Sequence, residues 1–163
     1  DVISKPLTRL FNETLQDQVV PSDWRKANVT PIFKKGSKSS ASNYRPVSLT
    51  SHVCKLVESI ISDSIVAHLS KHTLLNKSRY GFTSGKSCLT NLLKFLEDVT
   101  KYIDEGKSVD VIYLDFSKAF DKVPHKRLIS KVKAHGIGGK ICGWIEQWLH
   151  DREQRVVVNG RND

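Results

Sequence analysis

At 163 residues, with 39% hydrophobic and 26% charged side chains, the chain is one domain-sized unit with the composition of an ordinary globular protein, long enough to bury a core. Its net charge of +9, from 26 basic and 17 acidic residues, suits a polyanionic partner without defining one. Cys54, Cys88 and Cys142 are odd in number and far apart, which argues against a disulfide framework and for a reducing compartment, while the absence of any apolar run near ~20 residues or of a signal-peptide pattern argues against membrane and secretory roles.

In chain order, residues 2–16 predict a helix, with Ile3, Leu7, Leu10, Phe11 and Leu15 near helical spacing. The chain starts without Met, inside this helix, so a segment of a longer polypeptide is expected. Trp24 is expected in the core. Residues 27–33 have strand-like content interrupted by Pro31, which confines the strand to an edge or a bulge. Lys34-Lys35-Gly36 then opens a Ser-rich loop through Ser42, expected to be mobile. Beyond it, Val53, Leu56, Val57, Ile60 and Ile61 follow the pattern of an amphipathic helix. Lys34, Lys35 and Arg45, before and after the loop, could close over an anion or simply face water.

Arg79 to Leu92 is a glycine loop feeding a helix. Gly81 and Gly85 permit backbone conformations closed to bulkier residues, and Ser87 or Thr90 can start a helix whose apolar face is Leu89, Leu92, Leu93, Leu96 and Val99. A phosphate loop needs four residues between its glycines and a strand before them; here three intervene after a polar stretch, so that reading is the weaker one.

Residues 109–114 are β-branched and apolar and predict a short buried strand that delivers Asp115 to its exposed tip. Ser117 can cap a single helical turn that carries Asp121 back toward the same region. A carboxylate at a strand end can ligate a hard cation such as Mg²⁺ or can cap the next turn, and spacing alone leaves both open. Residues 126–135 and 137–149 predict two helices broken at Gly136, the second with Ile141, Trp144, Ile145, Trp148 and Leu149 on one face. His125 and His135 lack partners at metal-ligand spacing and take no role. A final strand over residues 154–158 runs into a hairpin turn at Asn159-Gly160 with no return strand.

Leu114-Asp115-Phe116-Ser117-Lys118-Ala119-Phe120-Asp121-Lys122-Val123, followed by Pro124-His125, resembles the first palm motif of the reverse transcriptases of non-LTR (LINE-type) retrotransposons. Asn43-Tyr44-Arg45-Pro46-Val47-Ser48-Leu49 resembles the fingers motif of the same family, and the glycine stretch resembles its Gly-Phe, Gly-Lys-Ser element, with Thr83 where many relatives carry a basic residue. The text is most similar to the chicken-repeat and Jockey-like branches. The resemblance implies an α+β fold: the fingers and first part of the palm of a right-hand polymerase, mostly helical with short antiparallel strands. It places fingers and connection at about residues 1–104 and the start of the palm at about 105–163, without the Tyr-x-Asp-Asp hairpin or a thumb.

The implied reaction is template-directed deoxynucleotidyl transfer with two Mg²⁺ ions, on an RNA template, a DNA primer and deoxynucleoside triphosphates, within a retrotransposon polyprotein that works in a cytoplasmic ribonucleoprotein and in the nucleus. Asp115 matches the catalytic, metal-binding aspartate, with the Phe116 main-chain carbonyl as a further ligand. Phe120 matches the aromatic that bars a 2′-hydroxyl, and Lys34, Lys35 and Arg45 match the triphosphate clamp. Asp121, Gly81 and Gly85 shape the motifs. One carboxylate cannot fix the near-octahedral shell that Mg²⁺ demands, so the chain is expected to be inactive alone. The alternative is a non-catalytic nucleic-acid-binding remnant of such an element.

Overall fold

The computed structural model describes residues 2–158 and the backbone of 161–162. In order these form α1 (Ser4–Asp17), β1 (Lys26–Phe33), β2 (Tyr44–Leu49), α2 (His52–Lys71), α3 (Cys88–Asp104), α4 (His125–Ala134), α5 (Gly139–Leu149), β3 (Glu153–Val158) and β4 (Arg161–Asn162). The fold is α+β, and the chain divides into two compact units, one of residues up to 68 with those from 123 onward, the other of residues 69–122.

In the first unit the strands make one mixed sheet in the order β2-β1-β3-β4. β1 pairs antiparallel with β2 from Asn28↔Leu49 to Phe33↔Tyr44, and parallel with β3 from Lys26↔Glu153 to Val29↔Val156. The parallel pair departs from the expected all-antiparallel strands. It also explains how Pro31 is tolerated: β1 is paired on both sides only at Asn28 and Val29, so a residue without an N–H falls where one edge is open. β3 joins the sheet of β1 and β2. The expected turn at Asn159-Gly160 lies outside the described residues, but β4 pairs back onto β3 at Val157↔Asn162 and Val158↔Arg161, so a return strand does begin.

The core of this unit is Val20, Trp24, Cys54, Val57, Ile61 and Trp144, with Phe11, Leu15, Val53, Ile65, Ile141, Ile145 and Trp148 packed around it. Trp24 meets Phe11 edge-on at 6.2 Å, and Trp144 stacks on Trp148 at 6.4 Å. α5 therefore buries the face its periodicity predicts. In α2 the buried stripe is Cys54, Val57 and Ile61, whereas Leu56 and Ile60 are more than half exposed. The two apolar stripes of this helix compete for one core, and the stripe through Cys54 faces α5. In α1, likewise, Thr14 is buried, with its hydroxyl donating to the Phe11 carbonyl, while Leu10, and Ile3 just before the helix, are exposed.

The second unit is built on α3. Ser87 caps it as expected: its Oγ accepts from the Thr90 N–H at 3.1 Å, and Thr90 Oγ1 accepts from the Ser87 N–H at 2.8 Å. No residue between 69 and 122 is fully buried, and the predicted apolar face, including Leu89, Leu92, Leu93 and Leu96, is open. Residues 109–114 are not the buried strand predicted. They pair with no strand among the described residues, and Ile112, Tyr113 and Leu114 are 82%, 81% and 91% exposed. β-branched residues favour a strand only where a neighbouring strand takes the N–H and C=O groups and a second layer covers the side chains. Neither is present in this unit among the described residues, where Tyr113 meets Phe95 of α3 at 6.0 Å.

Candidate active site

The residues singled out in the sequence fall in both units. Lys34, Lys35 and Arg45 belong to the first, on the hairpin of β1 and β2. Arg45 is opposite Ile32 in the ladder, and Lys34 follows β1 directly, its N–H donating to the Asn43 carbonyl at 2.9 Å. The connection expected to be a mobile loop is instead tied down: Asn43 Nδ2 donates to the Ser37 carbonyl at 2.9 Å, and the Tyr44 hydroxyl donates to the Lys38 carbonyl at 2.9 Å. Gly36 has φ +90°, and a Cβ there would lie 2.7 Å from Asn43 Nδ2, so both the turn and the close approach require glycine. Lys34, Lys35, Lys38 and Arg45 are all exposed. Lys38 is not among the residues the sequence singles out; its ammonium sits over the Phe33 ring at 5.8 Å, and Phe33 meets Tyr44 edge-on at 5.5 Å. Its only sequence signal is a further cation inside the Ser-rich loop.

The second unit carries Gly81, Gly85, Asp115, Phe116, Phe120 and Asp121. Residues 117–122 make a turn closed by the backbone, with the Lys122 N–H donating to the Lys118 carbonyl at 3.2 Å and Lys118 at φ +53°. The expected helical turn is thus only a hydrogen-bonded turn with a left-handed Lys118, and Ser117 gives it no side-chain cap. The structure brings the glycine element and the palm motif together through Phe82 and Phe120, whose rings meet edge-on at 6.4 Å. Phe82 has φ +53° and Gly85 φ +74°, so the left-handed backbone of this loop is used at Gly85 and at Phe82, while Gly81 is not left-handed. Lys86 lies over the Tyr80 ring at 4.4 Å and donates to the Lys77 carbonyl, which anchors the loop before α3. Phe82, Phe116 and Phe120 are each more than 80% exposed.

Asp115 is exposed. Among the described residues no group of three or more His, Cys, Asp or Glu side chains is placed to hold a metal ion. Asp115 has the right chemistry for Mg²⁺, an oxygen ligand, but these residues alone do not make a Mg²⁺ site. An open cleft of about 700 Å³ lies elsewhere, in the first unit, lined by Asp23, Lys26, Asn28, Thr50, Glu153 and Arg155, and none of the candidate residues lines it.

Residues 32–162 match the family model described as reverse transcriptase (RNA-dependent DNA polymerase), and the chain belongs to that family. It is 30% identical over 157 residues to a probable RNA-directed DNA polymerase from transposon BS of Drosophila melanogaster, covering 96% of this chain and 17% of that protein. It is also 25% identical over 155 residues to the RNA-directed DNA polymerase from mobile element jockey of the same species, covering 94% of this chain and 17% of the relative. A Pol polyprotein from the type-1 retrotransposable element R2 of Popillia japonica is 26% identical over 139 residues, 85% of this chain and 19% of that protein. The resemblance to non-LTR retrotransposon reverse transcriptases therefore holds across most of the chain. The chain spans about a sixth of the length of the curated relatives it matches.

Proposed function

We propose that this chain supplies the fingers, at about residues 1–104, and the start of the palm, at about 105–163, of a right-hand RNA-directed DNA polymerase encoded by a non-LTR retrotransposon. In the whole polymerase, a primer 3′-hydroxyl attacks the α-phosphate of a deoxynucleoside triphosphate under direction of an RNA template. The observation that carries this reading is the palm text from Leu114 to Val123, lying inside the region that matches the family.

Lys34, Lys35 and Arg45 hold the triphosphate, the lysines as point charges and the arginine as a two-pronged donor. Lys38, on the same hairpin, adds a fourth positive charge. Asp115 and the Phe116 carbonyl contribute oxygen ligands toward divalent metal, which when bound stabilises the attacking and leaving oxygens. The remaining carboxylates come from other parts of the polymerase. Phe120 fills the space that a ribose 2′-hydroxyl would need, and its edge contact with Phe82 fixes its position. Asp121, Gly81 and Gly85 keep the two motifs in shape. Within this reading the enzyme works on nucleic acid in a cytoplasmic ribonucleoprotein and at chromosomal DNA; among the described residues no helix is long and apolar enough to cross a membrane.

The test is RNA-templated primer extension with Mg²⁺, comparing the 163-residue chain with the whole polymerase that contains it. The proposal expects no extension by the chain and extension by the whole polymerase. Extension by the chain alone would contradict the claim that Asp115 needs carboxylates from elsewhere.

A further inference from the structure

From residue 123 to residue 145 the chain has no aspartate or glutamate, yet it carries Lys126, Arg127, Lys131, Lys133 and Lys140. Four of these are on α4, whose inner side is formed by the buried Ile129 and the half-buried Leu128 and Val132. At 3.6 residues per turn, the arc away from that side is Lys126, Arg127, Ser130, Lys131, Lys133 and Ala134. All six are exposed, and the outward face of α4 carries four cations, two in its first turn and two in its last, alongside the uncharged Ser130 and Ala134.

Two observations set this face apart from an ordinary solvated one. On α1 Arg9 pairs with Glu13, and on α3 Lys94 pairs with Glu97 and Asp98, whereas α4 has no acidic residue of its own with which to make such a pair. None of the four α4 cations forms an ion pair among the described residues. Furthermore, Lys131 and Lys133 sit in the last turn, where a positive charge favours the helix, but Lys126 and Arg127 sit in the first turn, where it opposes the helix dipole. Local helix stability accounts for the first two and works against the second two. An anionic partner accounts for all four.

We propose that the outward face of α4 is a contact surface for the phosphate backbone of an RNA strand. This rests on the polymerase reading above, in which RNA is the template. The four charges span about 10 Å at 1.5 Å rise per residue, a length matched to a few consecutive phosphates. No aromatic side chain lies on the face to stack a base, so the contact reads charge and position, not sequence. It is separate in the chain from the fingers cations and from the Asp115 turn, and it holds the strand rather than taking part in transfer.

The experiment measures the affinity of the 163-residue chain for a single-stranded RNA of fixed length across a salt series. The comparison is a variant with Lys126→Gln, Arg127→Gln, Lys131→Gln and Lys133→Gln, checked for unchanged helicity. Each phosphate contact contributes about 0.7 to the slope of log affinity against log salt for single strands, so the slope should become shallower by about 2 to 3. A second variant, with Lys126→Arg, Lys131→Arg and Lys133→Arg, keeps the charge and should keep the slope. A DNA strand of the same length should show a similar loss, because phosphate contacts carry no sugar information. An unchanged RNA slope in the Gln variant, a loss seen with DNA alone, or no RNA binding by the unmodified chain would overturn the proposal. None of these results bears on whether the whole polymerase extends a primer, so the two readings can fail separately.

Discussion

Phe120 carries the sharpest claim about a single side chain. Its ring makes an edge contact with Phe82 and is 81% exposed. In the whole polymerase, Phe120→Ala should lower the preference for deoxynucleotides over ribonucleotides, measured as the ratio of kcat/KM values, by at least about tenfold, or 1.4 kcal/mol. An unchanged ratio would remove Phe120 from sugar selection. Cys54 makes a different prediction. Burial, and then the Glu58 carboxylate that accepts its S–H at 3.0 Å, push the Cys54 thiol up to about 12 from an ordinary value near 9. The unfolded thiol ionises first as pH rises, so this contribution to stability is complete below pH 9 and is lost toward pH 12. The fall in Tm above pH 9 should therefore be shallower in Cys54→Ala than in the unmodified protein. Cys88 is exposed, and a thiol reagent at neutral pH should modify it while sparing the buried Cys54 and Cys142. At this scale the family text around Asp115, Phe120 and Arg45 is legible because residue types and spacing repeat it, while the roles of Asp115 and Phe120 are what the proposed variants test. Lys38 is not legible, because a lone lysine in a serine loop has no signal until the hairpin brings Phe33 beneath it.

At the scale of elements, periodicity locates the helices, and the core of the first unit shows why their faces are less secure. Trp144 is 2% exposed and joins α5 to α2, so Trp144→Ala should destabilise this unit by about 3–5 kcal/mol, read from chemical denaturation. α3 depends less on packing and more on its cap. Ser87→Ala removes one of two reciprocal bonds and should cost about 1 kcal/mol of helix stability, visible as lost helicity at low denaturant. Residues 109–114 show the limit of strand propensity: the composition is right for a strand, but the pairing depends on a partner that local sequence does not describe. The parallel pairing of β1 with β3 is hidden for the same reason, since Ala27↔Gln154 joins positions more than a hundred residues apart. Pro31, by contrast, is informative because a missing N–H restricts a strand wherever it lies.

For the molecule as a whole, family membership rests on a match over residues 32–162, and the motifs that point to it are legible in the amino-acid sequence. What those motifs do not convey is the division into two units, with boundaries between His68 and Leu69, beyond the fingers motif, and between Lys122 and Val123, at the end of the palm motif. On the proposed reading, Asp115 is a catalytic carboxylate of an RNA-directed DNA polymerase. The most direct measurement is single-turnover, RNA-templated incorporation of one deoxynucleotide by the whole polymerase, unmodified and as Asp115→Asn, with folding and RNA binding checked in both. Asp115→Asn should retain RNA binding and lose incorporation by at least about a thousandfold, or 4 kcal/mol. Incorporation within a few-fold of the unmodified enzyme would contradict the claim and leave the aspartate as the cap of its turn.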